Sequence, residues 1–471
     1  MMNRRFGQTE NERLPYLNWI KEDNMINTKP LVLVTGPVTT RSGYGNHARD
    51  ICQALIESDK YDVRINKCRW GNTPMNALEK GNPVHEAISQ RFLNGPNLER
   101  QPDLHLHVVV PNEFQPIGKK NIGITAGIEH TIPPAYWIDG VNRMDMTICT
   151  SEFTKSSFEN IQFDKVDKKT NQPIGKVKVE KPLETLFEGA DPNLYKETNE
   201  FSTELVESFS EVKEDFCFLF VGHWLSGNMG EDRKDIAMLI KVFIETFKHF
   251  DEMPALILKT SGATFSIIDR EEILKKISEV KKSIGGNKFP SVYLIHGDFT
   301  DEEMNQLYNY PKVKAHITFT HGEGFGRPLL EATFSGKPVM APFWSGQVDF
   351  LDANYSVELP SVTTKVPASA FPKEYGNPEA EWATVNYSIA SQIMKDVFNN
   401  YKKYELRGKK QMIVNRENFT HEAMKDKLVS IIDSMLTNIP QQVKLKLPEL
   451  NKKSEKISKD KINLPKLKRE V

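Results

Sequence analysis

At 471 residues the chain is too long for one ordinary domain, and its length predicts two large domains, with or without an appendage. Hydrophobic residues make up 39% of it and charged residues 27%, which is typical of a globular protein with a sizeable core, and no run of about 18 apolar residues predicts a membrane span. The net charge is −1, yet residues 443–471 hold ten Lys and Arg against four Asp and Glu, so a basic tail follows a mildly acidic body. This distribution argues against a main surface that binds nucleic acid.

The predicted elements begin after an N-terminal arm, residues 1–29, which lacks the apolar segment of a secretory signal. Residues 30–35 form an apolar strand that leads through a glycine-bearing loop into a helix over 47–58, which is one βα unit. Strands follow at 104–110, 121–125 and 146–150, and a lysine-rich stretch over 164–181 predicts a surface loop or hairpin. Together these elements predict a first domain over residues 30–200.

A second alternation of strands and helices starts at the buried strand 216–222 and predicts a domain over residues 201–400. Its further strands are at 255–259, 292–295 and 315–319, and its helices are at 234–250, 270–282, 302–308 and 387–399. Strands alternating with helices predict an α/β fold with two parallel, doubly wound sheets. Helical residues 401–438, with a helix at 421–436, either stay with this domain or cross back to the first, and residues 439–471 form the basic, flexible tail.

The loop after the strand at 315–319 reads GEGFGRPLLEA and carries the strongest chemical signal. Gly322, Gly324 and Gly326 let the backbone approach a ligand closely, and Pro328 suits the first turn of a helix, whose free N–H groups favour a diphosphate. Two carboxylates in the same segment accept hydrogen bonds from vicinal hydroxyl groups. The segment therefore predicts a ligand that carries both phosphate and several hydroxyl groups.

This segment resembles the EGFG-x-P-x-x-EA hallmark of retaining glycosyltransferases of the GT-B fold, in particular those of family 4, whose two glutamates have seven residues between them. The resemblance implies two Rossmann-like domains facing a cleft, with Glu323 on the hydroxyls of the transferred sugar and Glu331 on the ribose. It implies donor contacts from the backbone of Gly324, Phe325 and Gly326. Arg327 replaces an apolar residue of many relatives and adds a phosphate or sugar contact.

Further residues of the predicted site come from the same resemblance. Lys234, with its neighbour Arg233, is expected to neutralise the leaving diphosphate, although His223 stands where many relatives have an arginine after the strand. Lys259, at the end of its strand, is predicted to reach the donor. The remaining candidates lie in the first half of the chain: Gly43 of the loop SGYG is predicted to contact the donor, and Glu129 and His130 of the loop GIEH the acceptor. The predicted catalytic residues are Glu323, Lys234 and His130.

The prediction is a metal-independent, retaining transfer of a sugar from a nucleotide-sugar donor to a hydroxyl acceptor, without a cofactor. No Asp-x-Asp motif of the metal-binding kind occurs, and the four cysteines lack CxxC spacing, which favours a reducing, cytoplasmic location. Two other hypotheses stay open: a GT-B scaffold or binding protein without turnover, and an enzyme that glycosylates modified DNA. The basic tail is predicted to dock an anionic polymer, a protein or a membrane surface.

Overall fold

The computed structural model describes residues 29–437, except residues 96, 97, 99, 168, 171, 226, 263, 287 and 372–374. Nearly all of the predicted arm and the whole basic tail over 439–471 therefore lie outside the described residues. The described part contains two separate parallel sheets with helices on their faces, so the predicted α/β class with two doubly wound sheets is confirmed.

The strands and helices are numbered in chain order. The strands are β1 (Leu31–Gly36), β2 (Asp62–Lys67), β3 (Leu104–Val108), β4 (Lys120–Thr125), β5 (Met146–Cys149), β6 (Gln162–Val166), β7 (Pro173–Lys178), β8 (Leu183–Thr185), β9 (Cys217–His223), β10 (Ala255–Ser261), β11 (Val292–Ile295), β12 (Val313–Ile317), β13 (Val339–Ala341), β14 (Val357–Glu358), β15 (Ser361–Lys365) and β16 (Glu381–Val385). The helices are α1 (Gly43–Glu57), α2 (Pro83–Ser89), α3 (Ala135–Arg143), α4 (Glu152–Glu159), α5 (Thr203–Ser210), α6 (Ile236–Phe247), α7 (Ile267–Ile284), α8 (Asp301–Asn309), α9 (Arg327–Thr333), α10 (Tyr387–Asn399), α11 (Tyr401–Asn418) and α12 (His421–Leu436).

The first sheet has the strand order β2-β1-β3-β4-β5-β8, with every pair parallel. Its central strand β1 reads LVLVTG and is buried along its whole length, as expected of a parallel strand covered on both faces. Val32 and Val34 belong to a core that includes Ile51 and Leu55 of α1. That core fixes the loop between β1 and α1 at one edge of the sheet.

The second sheet has the order β11-β10-β9-β12-β13-β14 and is also parallel throughout. Along β9 the side chains alternate between two cores because successive residues of a strand point to opposite faces. Phe218 and Phe220 join the core that contains α6 and α10, whereas Cys217 and Leu219 join the core that contains α8 and α9. The sheet is therefore sandwiched between two helical layers.

Two antiparallel hairpins lie outside the sheets. The lysine-rich stretch predicted as a surface loop or hairpin forms the exposed hairpin β6–β7, and β15 pairs with β16. At the end of the described chain, α12 returns to the first half and packs against α1, and Met424, Leu428 and Ile432 enter the core of the first sheet.

Both sheets reverse their strand order at an inner pair of strands, β1 with β3 in the first sheet and β9 with β12 in the second. Ligands of open α/β sheets bind beyond the carboxyl ends of the strands at such a reversal. The loops that follow β1, β9 and β12 therefore lie where a ligand of such sheets is expected to bind. Two of the boundaries that differ from the prediction bear on the site: α1 begins at Gly43, capped by Ser42, and α6 begins at Ile236, so that Lys234 precedes the helix.

Candidate functional site

A cleft of about 490 Å³ lies between the carboxyl ends of the two sheets. Its first-half wall is formed by the loop after β1 with the start of α1, by residues 126–129 after β4, and by Glu188. Its second-half wall is formed by the loops after β9, β10 and β12 and by α9. The predicted site residues that line it are Gly43, Glu129, Arg233, Lys234, Lys259, Glu323, Gly324, Phe325, Gly326, Arg327 and Glu331.

Glu323 is the centre of a cluster of charges that joins both walls. Its Oε1 accepts a hydrogen bond from Nζ of Lys234, and its Oε2 lies 3.3 Å from a terminal nitrogen of Arg233. The same nitrogen of Arg233 lies 3.2 Å from Oε1 of Glu129 on the opposite wall. The four side chains have exposed fractions between 10 and 23%, so their charges are only partly screened by solvent.

The pKa values of this cluster reflect burial and pairing together. Burial by itself raises the pKa of Glu323, but Lys234 and Arg233 outweigh burial and lower it below the ordinary value. Burial lowers the pKa of Lys234 although Glu323 opposes that shift. The pKa of Arg233 is lowered by burial but raised further by Glu129 and Glu323, so the net shift is upward. Glu323 is therefore held as a carboxylate between two cations.

The fold places this cluster by joining the ends of β9 and β12, which are neighbours in the sheet. The backbone carbonyl of Arg233 accepts a hydrogen bond from the N–H of His321 at 2.8 Å. The N–H of Glu323 donates to Oγ of Ser345 at 2.9 Å, and its carbonyl accepts from the N–H of Gly346 at 3.0 Å. Both chain segments are thus fixed by main-chain hydrogen bonds that leave the charged side chains in the cleft.

Glu331 lies on α9 beside the cleft and is held by neighbouring side chains. Its Oε1 is 2.8 Å from Nε of Arg327 one turn earlier, and its Oε2 accepts a hydrogen bond from the hydroxyl of Tyr308 at 3.2 Å. The other side of the Arg327 guanidinium forms an ion pair with Asp50 of α1, in the first half of the chain. Arg327 therefore links the two walls through carboxylates, and two of its nitrogens are already engaged.

Lys259 is buried at the end of β10, where it faces the cleft beside an aromatic ring. Its Nζ donates to the carbonyl of Gly297 at 2.7 Å and lies 4.6 Å from the centre of the Phe299 ring. Burial lowers the pKa of Lys259 to about 8, against the opposing effect of Asp298. Its ammonium group is therefore charged at neutral pH but loses its proton in mildly alkaline solution.

Six basic and six acidic side chains line the cleft among the described residues. The basic ones are Arg41, Arg49, Arg233, Lys234, Lys259 and Arg327, and the acidic ones are Glu129, Glu188, Asp298, Asp301, Glu323 and Glu331. Burial raises the pKa of Glu188 to about 8, so its carboxyl group holds a proton at neutral pH, and burial raises that of Glu331 to about 7 although Arg327 opposes the shift. Positive charge is therefore in excess near pH 7, which favours an anionic ligand.

The glycines of the predicted motif bring the second half close to the first. A Cβ on Gly324 would lie 2.7 Å from the carbonyl oxygen of Ala126, so no larger residue fits without displacing that backbone. Oγ1 of Thr150 donates to the carbonyl of Gly324 at 3.3 Å. The Phe325 ring packs in the core, 5.0 Å from the Phe350 ring, which leaves its backbone as the part available to a ligand.

His130 differs from its neighbour Glu129 in its position. Glu129 lines the cleft, but the His130 side chain is fully buried, and the Phe371 ring meets it edge-on at 5.0 Å between ring centres. Burial lowers the pKa of His130 to about 4, so the imidazole is neutral. The geometry gives no support to His130 as a catalytic or acceptor-orienting group, because the ring is not among the side chains that line the cleft.

Several cleft residues were not predicted from the sequence. Asp50 stands 277 positions from its partner Arg327, and Arg41 pairs with Asp298 of the other half at 2.5 Å. Trp70 and Tyr44 line the first-half wall as a stacked pair. Asp50, Arg41, Asp298 and Trp70 belong to no recognisable motif, whereas Tyr44 lies in the loop SGYG, of which only Gly43 was predicted at the donor.

Within the described residues, no group of three or more His, Cys, Asp or Glu side chains is arranged to hold a metal ion. No helix in that part of the chain is both long enough and apolar enough to cross a membrane.

Comparison with solved structures identifies the architecture. The chain is similar to sucrose-phosphate synthase from Thermosynechococcus elongatus, with a TM-score of 0.55 and 11% identity over 87% of this chain and 99% of that one. It is similar to HepE of Anabaena in complex with UDP-glucose, with a TM-score of 0.54 and 14% identity over 86% and 99% of the two chains. A glycosyltransferase from Rickettsia africae gives a TM-score of 0.52 and 14% identity over 88% and 100%.

At these identities the likeness establishes the fold, which is the GT-B fold of two Rossmann-like domains on either side of a cleft. No protein-family model matches the sequence, and no curated protein sequence matches it either.

Proposed function

We propose that the protein is a glycosyltransferase that moves a sugar from a nucleotide-sugar donor to a hydroxyl acceptor, with retention of configuration and without a metal ion. The observation that carries the proposal is the Glu323 cluster, in which two cations and a carboxylate meet at the reversal point of the second sheet, in the loop that leads into α9 with Arg327 and Glu331. HepE, a neighbour of the same fold, binds UDP-glucose, which supports a donor of this class.

Lys234 and Arg233 are the groups that would stabilise the departing diphosphate. Bond cleavage leaves negative charge on the phosphate, and fixed cations in a partly desolvated cleft stabilise that charge more than bulk water does. The excess of positive charge near neutral pH supports binding of a diphosphate before any bond breaks. Because α9 has only seven residues, its dipole contributes less than these two side chains.

Glu323 and Glu331 are assigned to the hydroxyl groups of the donor. A carboxylate held ionised by two cations is a strong acceptor for sugar hydroxyls, which supports Glu323 on the transferred sugar. Glu331, eight positions along the chain, is assigned to the ribose. Both carboxylates already accept hydrogen bonds from the protein, so their remaining lone pairs serve the ligand.

Retention follows from the family resemblance. The acceptor hydroxyl attacks the face from which the diphosphate leaves, and the leaving phosphate oxygen takes the hydroxyl proton. The anomeric carbon–oxygen bond to the phosphate breaks as the new glycosidic bond forms. Glu129, on the first-half wall beside Arg233, is assigned to the acceptor.

We place the protein in the cytoplasm because its four cysteines are free thiols.

Release of nucleoside diphosphate from a panel of UDP-, GDP-, ADP- and dTDP-sugars tests the proposal. We expect the wild-type protein to consume one donor, and Lys234→Ala to lower kcat by about 100-fold, the loss typical of removing a group that stabilises the developing charge. Glu331→Ala, which removes the proposed ribose contact, is expected to lower kcat/KM for the donor. Lys275→Ala and Glu279→Ala, which remove an exposed pair on α7, are the matched controls. Binding of a nucleotide sugar without release of diphosphate would instead support a scaffold.

A further inference from the structure

The aromatic pair Trp70 and Tyr44 forms part of the first-half wall of the cleft. The two ring centres are 4.2 Å apart with an angle of 27° between the ring planes, so the rings are stacked. Both side chains line the cleft and are half-buried, with Tyr44 packed against the core of the first sheet and Trp70 against a small cluster that contains Phe114. An aromatic surface at a cleft wall is available to stack against a ligand.

The pair is held rigidly before any ligand binds. Three backbone hydrogen bonds join the loop that carries Trp70 to the end of β1 and the segment after it. The N–H of Cys68 donates to the Gly36 carbonyl at 3.0 Å, and that of Ala77 donates to the Thr39 carbonyl at 3.0 Å. The N–H of Arg41 donates to the Pro74 carbonyl at 3.2 Å. These bonds fix the position of the loop that carries the indole. A preorganised surface binds more tightly because less conformational entropy is lost.

Tyr44 is anchored at its hydroxyl end as well. That hydroxyl lies 2.9 Å from Oγ1 of Thr125 and accepts a hydrogen bond from the N–H of Ala126 at 3.0 Å. Ala126 is the residue whose carbonyl packs against Gly324, the neighbour of Glu323. The aromatic pair is therefore connected, through one residue, to the segment that carries the proposed sugar-binding carboxylate.

Glu129 completes this corner of the cleft. It follows Ala126 by three positions, and its carboxylate lies 3.2 Å from Arg233, which also contacts Glu323. An acceptor that lies on the aromatic pair would thus contact the carboxylate of Glu129 on the same wall and face the Glu323 cluster on the opposite wall. The corner combines an apolar, flat surface with a hydrogen-bond acceptor for hydroxyl groups.

We propose that Trp70 and Tyr44 form the acceptor subsite, and that the acceptor is a neutral sugar ring stacked on them with a hydroxyl directed at Glu129. The C–H face of a pyranose is flat and apolar and suits an aromatic ring, whereas its hydroxyl edge suits a carboxylate. A polyanionic acceptor fits this part of the wall less well, because the carboxylate of Glu129 would repel it. This inference rests on the proposed function for its kinetic test but not for its binding test.

The binding test follows tryptophan fluorescence while methyl glycosides of glucose, galactose, mannose and N-acetylglucosamine are added without donor. We expect one glycoside to change the emission of the wild-type protein and of Trp137→Phe, whose tryptophan is buried away from the cleft, but not that of Trp70→Phe. An equal change in Trp70→Phe, or no change in the wild-type protein with any glycoside, would overturn the proposal.

The kinetic test measures transfer from the consumed donor to the best glycoside. We expect Trp70→Ala to raise the acceptor KM by about tenfold, which is what loss of one stacking contact costs, and Trp70→Phe to recover most of it. An unchanged acceptor KM in Trp70→Ala would overturn the inference. Transfer only to an oligonucleotide containing 5-hydroxymethylcytosine would overturn the sugar class. If the wild-type protein consumes no donor at all, the proposed function fails, and the fluorescence result stands separately.

Discussion

Glu188 is a cleft carboxyl group that is 7% exposed and sits among other charged side chains. Burial raises its pKa from 4.5 to about 8, with Asp50 and Glu331 adding to the shift and Arg327 opposing it. Between these two pH values the folded protein keeps a proton that the unfolded chain has released. The free energy of unfolding therefore falls as the pH rises from about 4.5 to about 8 and levels off above that.

Replacing this group tests the sign of that linkage. We expect Glu188→Gln to be more stable than the wild-type protein at pH 8, with a difference that shrinks toward pH 5 by about 1.4 kcal/mol for each pH unit between the unfolded and folded pKa values. Chemical denaturation at several pH values measures it. The control is Glu184→Gln, at an exposed position on β8. Parallel stability curves for Glu188→Gln and wild type would show that the carboxyl group ionises normally.

At the same scale, the sequence predicted the residues of the second wall but not their partners. Glu323, Lys234 and Glu331 stand in or near a motif, and all three line the cleft. Asp50, which pairs with Arg327 from the first half, lies outside any pattern, because side chains that meet between distant parts of the chain follow no rule of sequence spacing. His130 stays a prediction that its burial does not favour, since a polar residue beside Glu129 looks the same in sequence whether it faces a ligand or a core.

At the scale of elements, α9 begins in an unusual backbone conformation. Its N-cap Gly326 has φ +101°, a left-handed value that favours glycine, and Pro328 occupies the first turn. A Cβ at Gly326 would find its closest neighbour, Cβ of Gln347, at 3.3 Å, so the main penalty for a larger residue is backbone strain.

We expect Gly326→Ala to lower the free energy of unfolding by roughly 1–2 kcal/mol, because alanine adopts this φ only with strain. Donor turnover should fall with it, since α9 carries Glu331 and Arg327. Urea denaturation gives the first quantity and diphosphate release the second. Gly95→Ala, where nothing lies within 4 Å and the backbone φ is ordinary, is the control. Equal stability of both variants would contradict the strain argument.

The elements that the sequence predicted well have apolar faces. Strand β11 and helices α10 and α12 were predicted with their observed bounds, and β9 and β10 within two residues. Helix α11 was not resolved as an element of its own, because its buried positions are Tyr404, Gly408, Gln411 and Asn415. Gln411 is buried and donates a hydrogen bond to the Phe350 carbonyl at 2.7 Å. Because such buried positions are polar, the sequence of α11 shows no helical period of hydrophobic residues.

At the scale of the whole molecule, three ion pairs join the two halves across the cleft. They are Arg41 with Asp298, Arg233 with Glu129, and Arg327 with Asp50. In each pair one partner comes from the first half of the chain and the other from the second. The pairs hold the cleft walls together without a ligand, and a donor has to be accommodated among them.

Removing one of these charges should loosen the molecule. We expect Asp50→Asn to destabilise the protein by about 1–3 kcal/mol, since Arg327 and Asp50 are each less than 15% exposed, and to raise the radius of gyration in solution scattering. Thermal denaturation and small-angle X-ray scattering provide the two readouts. Asp59→Asn breaks an ion pair with Lys29 in which Asp59 is 88% exposed, and is expected to change neither. Identical behaviour of the two variants would contradict a role for the pair in holding the walls.

The central claim is that this cleft transfers a sugar from a nucleotide donor. A proton NMR time course of the wild-type protein with a nucleotide-sugar panel and a pool of methyl glycosides tests it most directly, because it reports donor loss, product and anomeric configuration together. We expect one donor to disappear and a new glycosidic anomeric proton to appear with the configuration of that donor. A panel in which every donor survives, or a product of inverted configuration, would contradict it.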